Sequence, residues 1–253
     1  MAVALITLPG FPTVRPGDDL AALACAAASG GGVAFEDGDI VVFAQKIVSK
    51  AEGRTIRLDR VKPSPRAREL AEATEKDPRL VEAVLAESVE VLRAKPGVLV
   101  VEHRLGHVMA NAGVDRSNLD AENDEEVALL LPLDPDRSAA ALRARLQAEI
   151  GRRVGVIVSD SFGRAWRRGV VGVALGVAGP PAVIDRRGDP DRSGRPLQVT
   201  EVGFADAVAA AAVLAMGEGA EGTPVVVVRG VDWPESAQTA RDGLRPRAQD
   251  LFR

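Results

Sequence analysis

Apolar residues in this chain fall into short runs separated by turn-forming clusters, with no single period sustained along its length. Val3 to Leu8 is an apolar run closed by Pro9-Gly-Phe-Pro12, which predicts a first strand. Pro16-Gly-Asp-Asp19 then opens an Ala-rich helix with Asp18 as its N-cap. Asp37-Gly-Asp39 is a turn into the apolar strand Ile40 to Phe43, and Val48-Ser-Lys-Ala-Glu-Gly53 leaves that strand. Pro65 to Thr74 and Pro78 to Glu87 carry helical spacing with i,i+4 charge pairs, and Val98 to Glu102 is a short strand. Asp136 to Ile150 predicts a helix capped by Asp136 or Ser138, followed by a strand from Val154 to Val158. Phe204 to Met216 is an Ala/Val helix and Pro224 to Val228 a buried strand. Strands and helices alternate without a clean βαβ period, so the expected fold is mixed α/β, of the α+β kind. Residues 1–253 are expected to form a single unit, with room for two lobes.

Composition narrows the function classes. With no Tyr and 3% aromatics, the core has to be built from Val, Leu, Ala and Ile. A formal charge of −4, and no basic tract interleaved with aromatics, argue against a nucleic-acid surface. The N-terminus lacks the basic segment of a signal peptide and no window reaches membrane-span length, so a cytoplasmic protein without membrane contact is expected. Cys25, the only cysteine, lies in an Ala-rich helical run and reads as a small buried hydrophobe, not a nucleophile. His103 and His107 read as a solvated or packed pair rather than a zinc site.

Two stretches concentrate chemistry. Asn111-Ala-Gly-Val-Asp-Arg-Ser-Asn118 and Ser159-Asp-Ser-Phe-Gly-Arg-Ala-Trp-Arg167 each place one aspartate, Asp115 or Asp160, in an expected loop beside hydroxyl or amide residues and an arginine. Carboxylates among Ser and Asn suit Mg2+ or Mn2+, and the planar fork of arginine suits phosphate or carboxylate. Together they suggest metal-assisted chemistry on a phosphorylated substrate. The acidic run from Asp120 to Glu126 reads as a solvated loop, and the irregular stretch from Asp185 to Arg195 as a functional one. No P-loop signature occurs, and no Gly-x-Gly-x-x-Gly follows a strand. Gly169, Gly172, Gly176 and Gly179 recur at spacings that suit close backbone packing or turns. Lys46 and Lys50 follow a strand end and can reach phosphate oxygens, although spacing alone fits surface lysines as well.

Several motifs occur in order: Arg-Pro-Gly-Asp-Asp-Leu (15–20), Gln-Lys-Ile-Val-Ser-Lys-Ala-Glu-Gly-Arg (45–54), the two aspartate stretches above, Leu-Leu-Pro-Leu-Asp-Pro-Asp (130–136), Asp-Arg-Arg-Gly (185–188), Val-Thr-Glu-Val (199–202) and Val-Val-Arg-Gly (227–230). In this the chain closely resembles the coenzyme F420:L-glutamate ligase family, the F420-0:gamma-glutamyl ligases, from about Leu8 to Phe252. The resemblance implies a ligase fold that is neither P-loop nor ATP-grasp, and a homodimer with small-molecule substrates. It implies GTP as co-substrate, Mg2+ or Mn2+ with potassium as a further ion, and the joining of L-glutamate, once or repeatedly through gamma linkages, to F420-0. Asp115 and Asp160 match metal ligands, Ser161 a further ligand, and Glu201 a ligand of a second metal. Phe11, Pro12, Thr13 and Val14 align with a guanine-nucleotide loop; Gln45, Lys50 and Asn118 match nucleotide contacts, whereas Lys46 does not. So does the run Val199, Thr200, Glu201, Val202, Gly203, Phe204, Ala205 and Asp206, although Gly203-Phe204 and Ala207 depart from common family forms. Lys50 would offset charge on the phosphates, while Arg164 and Arg167 are assigned to the acidic tail or glutamate from their chemistry alone. The reductase-like domain fused to some relatives is not expected here. Two rival classes are a metal-dependent kinase or phosphohydrolase, which would need no glutamate, and a nucleotide-binding module, which would release no GDP.

Overall fold

The computed structural model describes residues 2–116 and 127–252, so Asn118 and the acidic run 120–126 lie outside the described residues. Along the chain the strands are β1 (Ala4–Thr7), β2 (Ile40–Ala44), β3 (Thr55–Arg57), β4 (Ser88–Lys95), β5 (Val98–His103), β6 (Val108–Ala110), β7 (Val127–Leu129), β8 (Gly155–Arg164), β9 (Arg167–Ala178), β10 (Val183–Asp185), β11 (Glu201–Gly203) and β12 (Val225–Arg229). The helices are α1 (Leu20–Gly30), α2 (Gln45–Ala51), α3 (Pro65–Thr74), α4 (Pro78–Ala86), α5 (Pro135–Ile150) and α6 (Phe204–Met216). Helices and mixed sheets together make this an α+β protein.

The runs Ile40-Val-Val-Phe43 and Val225-Val-Val-Val228 have no polar alternation, the mark of strands covered on both faces. They sit inside a five-stranded sheet of order β1-β12-β2-β8-β9. On one face Val41, Phe43, Val156, Val158, Val225 and Val227 pack against α1, α2 and α5. On the other, Ile40, Val42, Ile157, Val226 and Val228 pack against α6 and Trp233. Cys25 packs half-buried at the first face, where burial, then Glu149 and Asp19, push its thiol up to about 11, in keeping with an inert packing role.

β12 runs antiparallel to both neighbours, and β2 runs parallel to β8, so β1, β2 and β8 all point the same way. β9 returns antiparallel and forms the sheet edge. Two carboxylates cover part of that edge: Asp206 accepts from Ala174 N–H at 2.9 Å and Asp136 from Val177 N–H at 2.9 Å. Two glycines let helices approach β9 closely. A Cβ on Gly172 would stand 2.5 Å from the Ala209 carbonyl oxygen of α6, and one on Gly176 would collide with the Pro135 backbone at the start of α5. Gly169 and Gly179 instead take φ of 84° and 101°.

A smaller antiparallel sheet, β4-β5-β6, packs Leu99 and Val101 against Leu70, Val81 and Val84 of α3 and α4. The pair β3-β7 adds Ala128 to this cluster. Leu105, Met109, Leu131, Leu175 and Phe162 form a further cluster between the two sheets. His103 and His107 are a buried, packed pair: Leu105 N–H donates to His103 Nδ1 at 2.9 Å, and His107 meets Phe162 edge-on with ring centroids 6.2 Å apart. Among the described residues no helix is long and apolar enough to cross a membrane.

Three local expectations need correction. Asp19, not Asp18, caps α1, accepting from Ala21 and Ala22 N–H; Asp18 closes the preceding turn by accepting from Arg15 N–H. Asp134 caps α5 with Pro135 at its first position, while Asp136 is turned onto β9 and Ala240. The segment that leaves β2 forms the helix α2. Asp160 and Ser161 lie within β8, which extends well past Val158, and Asp115 is held by a β-bridge to Leu129; neither aspartate is in an open loop.

Candidate functional site

The carboxyl ends of β1 and β2 meet the middle of β8 at one edge of the main sheet, a placement like that at which open α/β sheets commonly bind ligands. A cleft of about 390 Å³ lies there, within the range of small-molecule sites. Phe11, Pro12, Thr13 and Val14, in the segment that follows β1, form one wall. Gln45, Lys46 and Lys50 come from α2, which starts directly after β2; Lys46 and Lys50, four residues apart, lie on one helical face. Ser159, Asp160 and Ser161 come from β8, alongside Ala44 of β2. Gln45 is buried and donates from Nε2 to Ser49 Oγ at 2.7 Å.

Charge converges on the β8 side. Lys46 Nζ stands 2.7 Å from Asp115 Oδ2. Asp115 is delivered by a turn in which Asn111 and Ala112 both have φ of 52° and Gly113 has φ of 66°, three left-handed residues in succession. Left-handed non-glycine residues cost on the order of 1–3 kcal/mol each and cluster at functional sites. Asp160 is open to the cleft but otherwise closely surrounded. Burial raises its carboxyl to about 6, Asp115 and Glu218 add to the rise, and the Ser161 N–H bond and Lys46 oppose it.

Glu218 was not anticipated. It lies in the turn between α6 and β12, and Ser161 Oγ donates to its Oε2 at 2.8 Å. The turn reads Gly217-Glu-Gly-Ala-Glu-Gly222, a Gly-x-Gly-x-x-Gly pattern that follows a helix and precedes a strand, the reverse of the dinucleotide order. Gly217 and Gly222 take φ of 76° and 67°, and Thr223 Oγ1 closes the turn by donating to Met216 O at 2.9 Å.

Other expected residues lie elsewhere. Glu201 is exposed on β11, paired with β10, and its carboxylate is 3.5 Å from Arg187. Val199 and Val202 are exposed, whereas Phe204 and Ala205 are buried where α6 packs on the main sheet. None of the run 199–206 lines the cleft. Arg164 and Arg167 face each other across the turn joining β8 to β9.

The donors in the cleft are hard oxygens, the carboxylates of Asp160 and Glu218 and the hydroxyl of Ser161, with the Asp115 carboxylate beside it on Lys46. Among the described residues no three His, Cys, Asp or Glu form a ready metal cage. Hard-oxygen donors of this kind suit Mg2+ or Mn2+, which commonly use one or two carboxylates and complete their shell with water and substrate phosphates. The Asp160 carboxyl, raised first by burial and then by the nearby Asp115 and Glu218, is one that an added positive charge would stabilise in its ionised form.

A family model described as F420-0:Gamma-glutamyl ligase matches residues 10–230. A protein of Methanothermobacter thermautotrophicus called coenzyme F420:L-glutamate ligase is 48% identical over 255 residues, covering 100% of both chains. Proteins of the same description from Methanopyrus kandleri and Archaeoglobus fulgidus are 47% and 48% identical, spanning 95% and 92% of this chain and 93% and 89% of their own.

Proposed function

The chain belongs to the F420-0:gamma-glutamyl ligase family, and from that premise we propose that it joins L-glutamate to coenzyme F420-0 at the expense of GTP. The observation that carries the mechanism is the cleft in which Lys46, Lys50, Asp160, Ser161 and Glu218 surround one space. A carboxylate cannot acylate an amine directly, because oxide would have to leave. Attack of the acceptor carboxylate on the terminal phosphorus of GTP releases GDP and makes an acyl phosphate. The glutamate amine then attacks the acyl carbon, phosphate leaves, and the nitrogen loses a proton.

Phosphoryl transfer of this kind needs positioning and charge neutralisation more than covalent help. A divalent metal, when bound, supplies charge to the phosphate oxygens. Asp115, Asp160 and Ser161 are the residues we assign to hold it, with Glu218 in the place the resemblance gave to Glu201. Lys50 and Lys46 add positive charge on the α2 side, and Phe11 to Val14 form the wall we assign to the guanine. A homodimer remains part of this reading.

Purified protein incubated with GTP, Mn2+, F420-0 and glutamate should yield a mass increase of one or more glutamyl units together with GDP. GDP release without any adduct would point to a kinase or phosphohydrolase. Binding of GTP without release of GDP would point to a nucleotide-binding module. Either result overturns the proposal.

A further inference from the structure

Past the phosphate-side cleft, β8 continues into a second cavity of about 500 Å³. Phe162 is two residues beyond Asp160, so the two project from the same face of the strand about 7 Å apart. Their partners on β9 are Val173 and Val171. Phe162, Val171 and Val173 line the cavity, and Ala207 and Ala210 of α6 add to its apolar wall.

The polar groups in it are few. His107 is held uncharged at neutral pH, because burial, and then the nearby His103, depress its pKa to about 4. The Asp206 carboxylate is engaged with Ala174 N–H. Arg164 lines the cavity and is exposed, and among the described residues nothing bonds to its guanidinium. Arg167, opposite it in the ladder, is likewise exposed and unpaired among the described residues. A mostly apolar chamber with free guanidinium groups at its edge fits a ligand with an apolar body and an anionic arm.

Resting on the ligase reading above, we propose that this second cavity, and not the nucleotide cleft, receives the acceptor. Its apolar body lies against Phe162 and Ala210, its anionic groups meet Arg164 and Arg167, and its reacting carboxylate points along β8 toward Asp160. The strand then acts as a common floor, with phosphate at one end and acceptor at the other.

Trp166, in the turn between the two arginines, is 86% exposed, while Trp233 is buried beneath Arg153. Tryptophan quenching on titration with F420-0, in the absence of GTP, therefore reports on the hairpin. The wild-type chain should show saturable quenching. Arg164→Ala, at an exposed position that leaves the core intact, should weaken it at least about 10-fold, the size of one lost hydrogen bond to a charged group. Ala210→Leu, which fills the cavity, should do the same. Both variants should raise the acceptor KM and leave GTP affinity and melting temperature unchanged.

Wild-type ligation combined with unaltered acceptor affinity and KM in both variants would overturn the cavity assignment alone. The same holds if Arg164→Ala changes only the oligomeric state, which would make the hairpin a subunit contact. Absence of any glutamyl adduct from the wild-type chain would overturn the ligase reading, and this assignment with it.

Discussion

The Lys46 ammonium lies 2.7 Å from the Asp115 carboxylate, joining the helix that follows β2 to the turn that follows β6. This contact balances one of three acids that crowd the cleft, and it also lowers the otherwise raised carboxyl of Asp160. Lys46 therefore stands where a divalent cation would compete with it.

Lys46→Ala should bind Mn2+ alone more tightly, by about 5-fold, because roughly 1 kcal/mol of competing attraction at a partly exposed pair is removed. Its GTP affinity should fall, since the phosphates lose a positive neighbour. Calorimetric titration with Mn2+ and with GTP separately reads both. Weaker Mn2+ binding in the variant would show that Lys46 orients Asp115 and does not compete for it.

Asp160→Asn should reduce GDP release by at least about 100-fold, the loss expected when a charged metal contact disappears. Its melting temperature should hold, because the substitution removes a crowded charge without changing shape. Near-normal turnover at low Mn2+ would exclude Asp160 from metal binding.

His107 makes the protein sensitive to mild acid. Its pKa is about 4 in the fold against an ordinary 6.5, so between these values the unfolded chain takes up a proton that the folded chain refuses. Stability should fall as pH drops through this window, by a total on the order of 3 kcal/mol from this group. Glu87 acts in the same direction below 4.5. Burial opposes its ionisation, but His103, Arg54 and Arg104 outweigh that and hold it near 2. Denaturant melts from pH 7 to pH 4 should show a shallower loss for His107→Gln than for the wild-type chain. Equal slopes would mean that His107 is protonated in the fold.

Gly172→Ala should destabilise the packing of α6 on β9. The added methyl would sit 2.5 Å from a helix carbonyl oxygen, so α6 must shift. Overpacking of this kind costs about 1–3 kcal/mol, roughly 3–10 °C in melting temperature for a domain of this size. An unchanged melting temperature would mean that α6 and β9 can separate freely.

The core strands were legible because unbroken runs such as Ile40 to Phe43 leave no polar face to expose. The caps were misplaced by one residue at α1 and by two or four at α5, where acids crowd together. Asp18 and Asp19 are adjacent, and only the turn geometry decides which carboxylate reaches the helix amides. At α5 the signal was present, since Pro135 at the first helical position puts the cap at Asp134. The continuation of β8 through Ser159-Asp-Ser161 was not legible, because polar residues at a site override the alternation that marks a strand. Nor was Glu218: its glycine turn lies in the reverse order to the known nucleotide motif, and its neighbour Ser161 is 57 residues away in sequence.

The register of the outer strand pair bears on how the molecule is made. Ala4 of β1 pairs with Arg229 of β12, and β12 lies between β1 and β2. β1 thus waits for a partner about 225 residues downstream, roughly 10–45 s of synthesis. The finished sheet places a strand made late between two made earlier. Until then β1 and β2 expose Val, Ile and Phe edges that can pair with other chains. Slowed elongation between β8 and β12 should therefore lower soluble yield more than the same delay placed after β12.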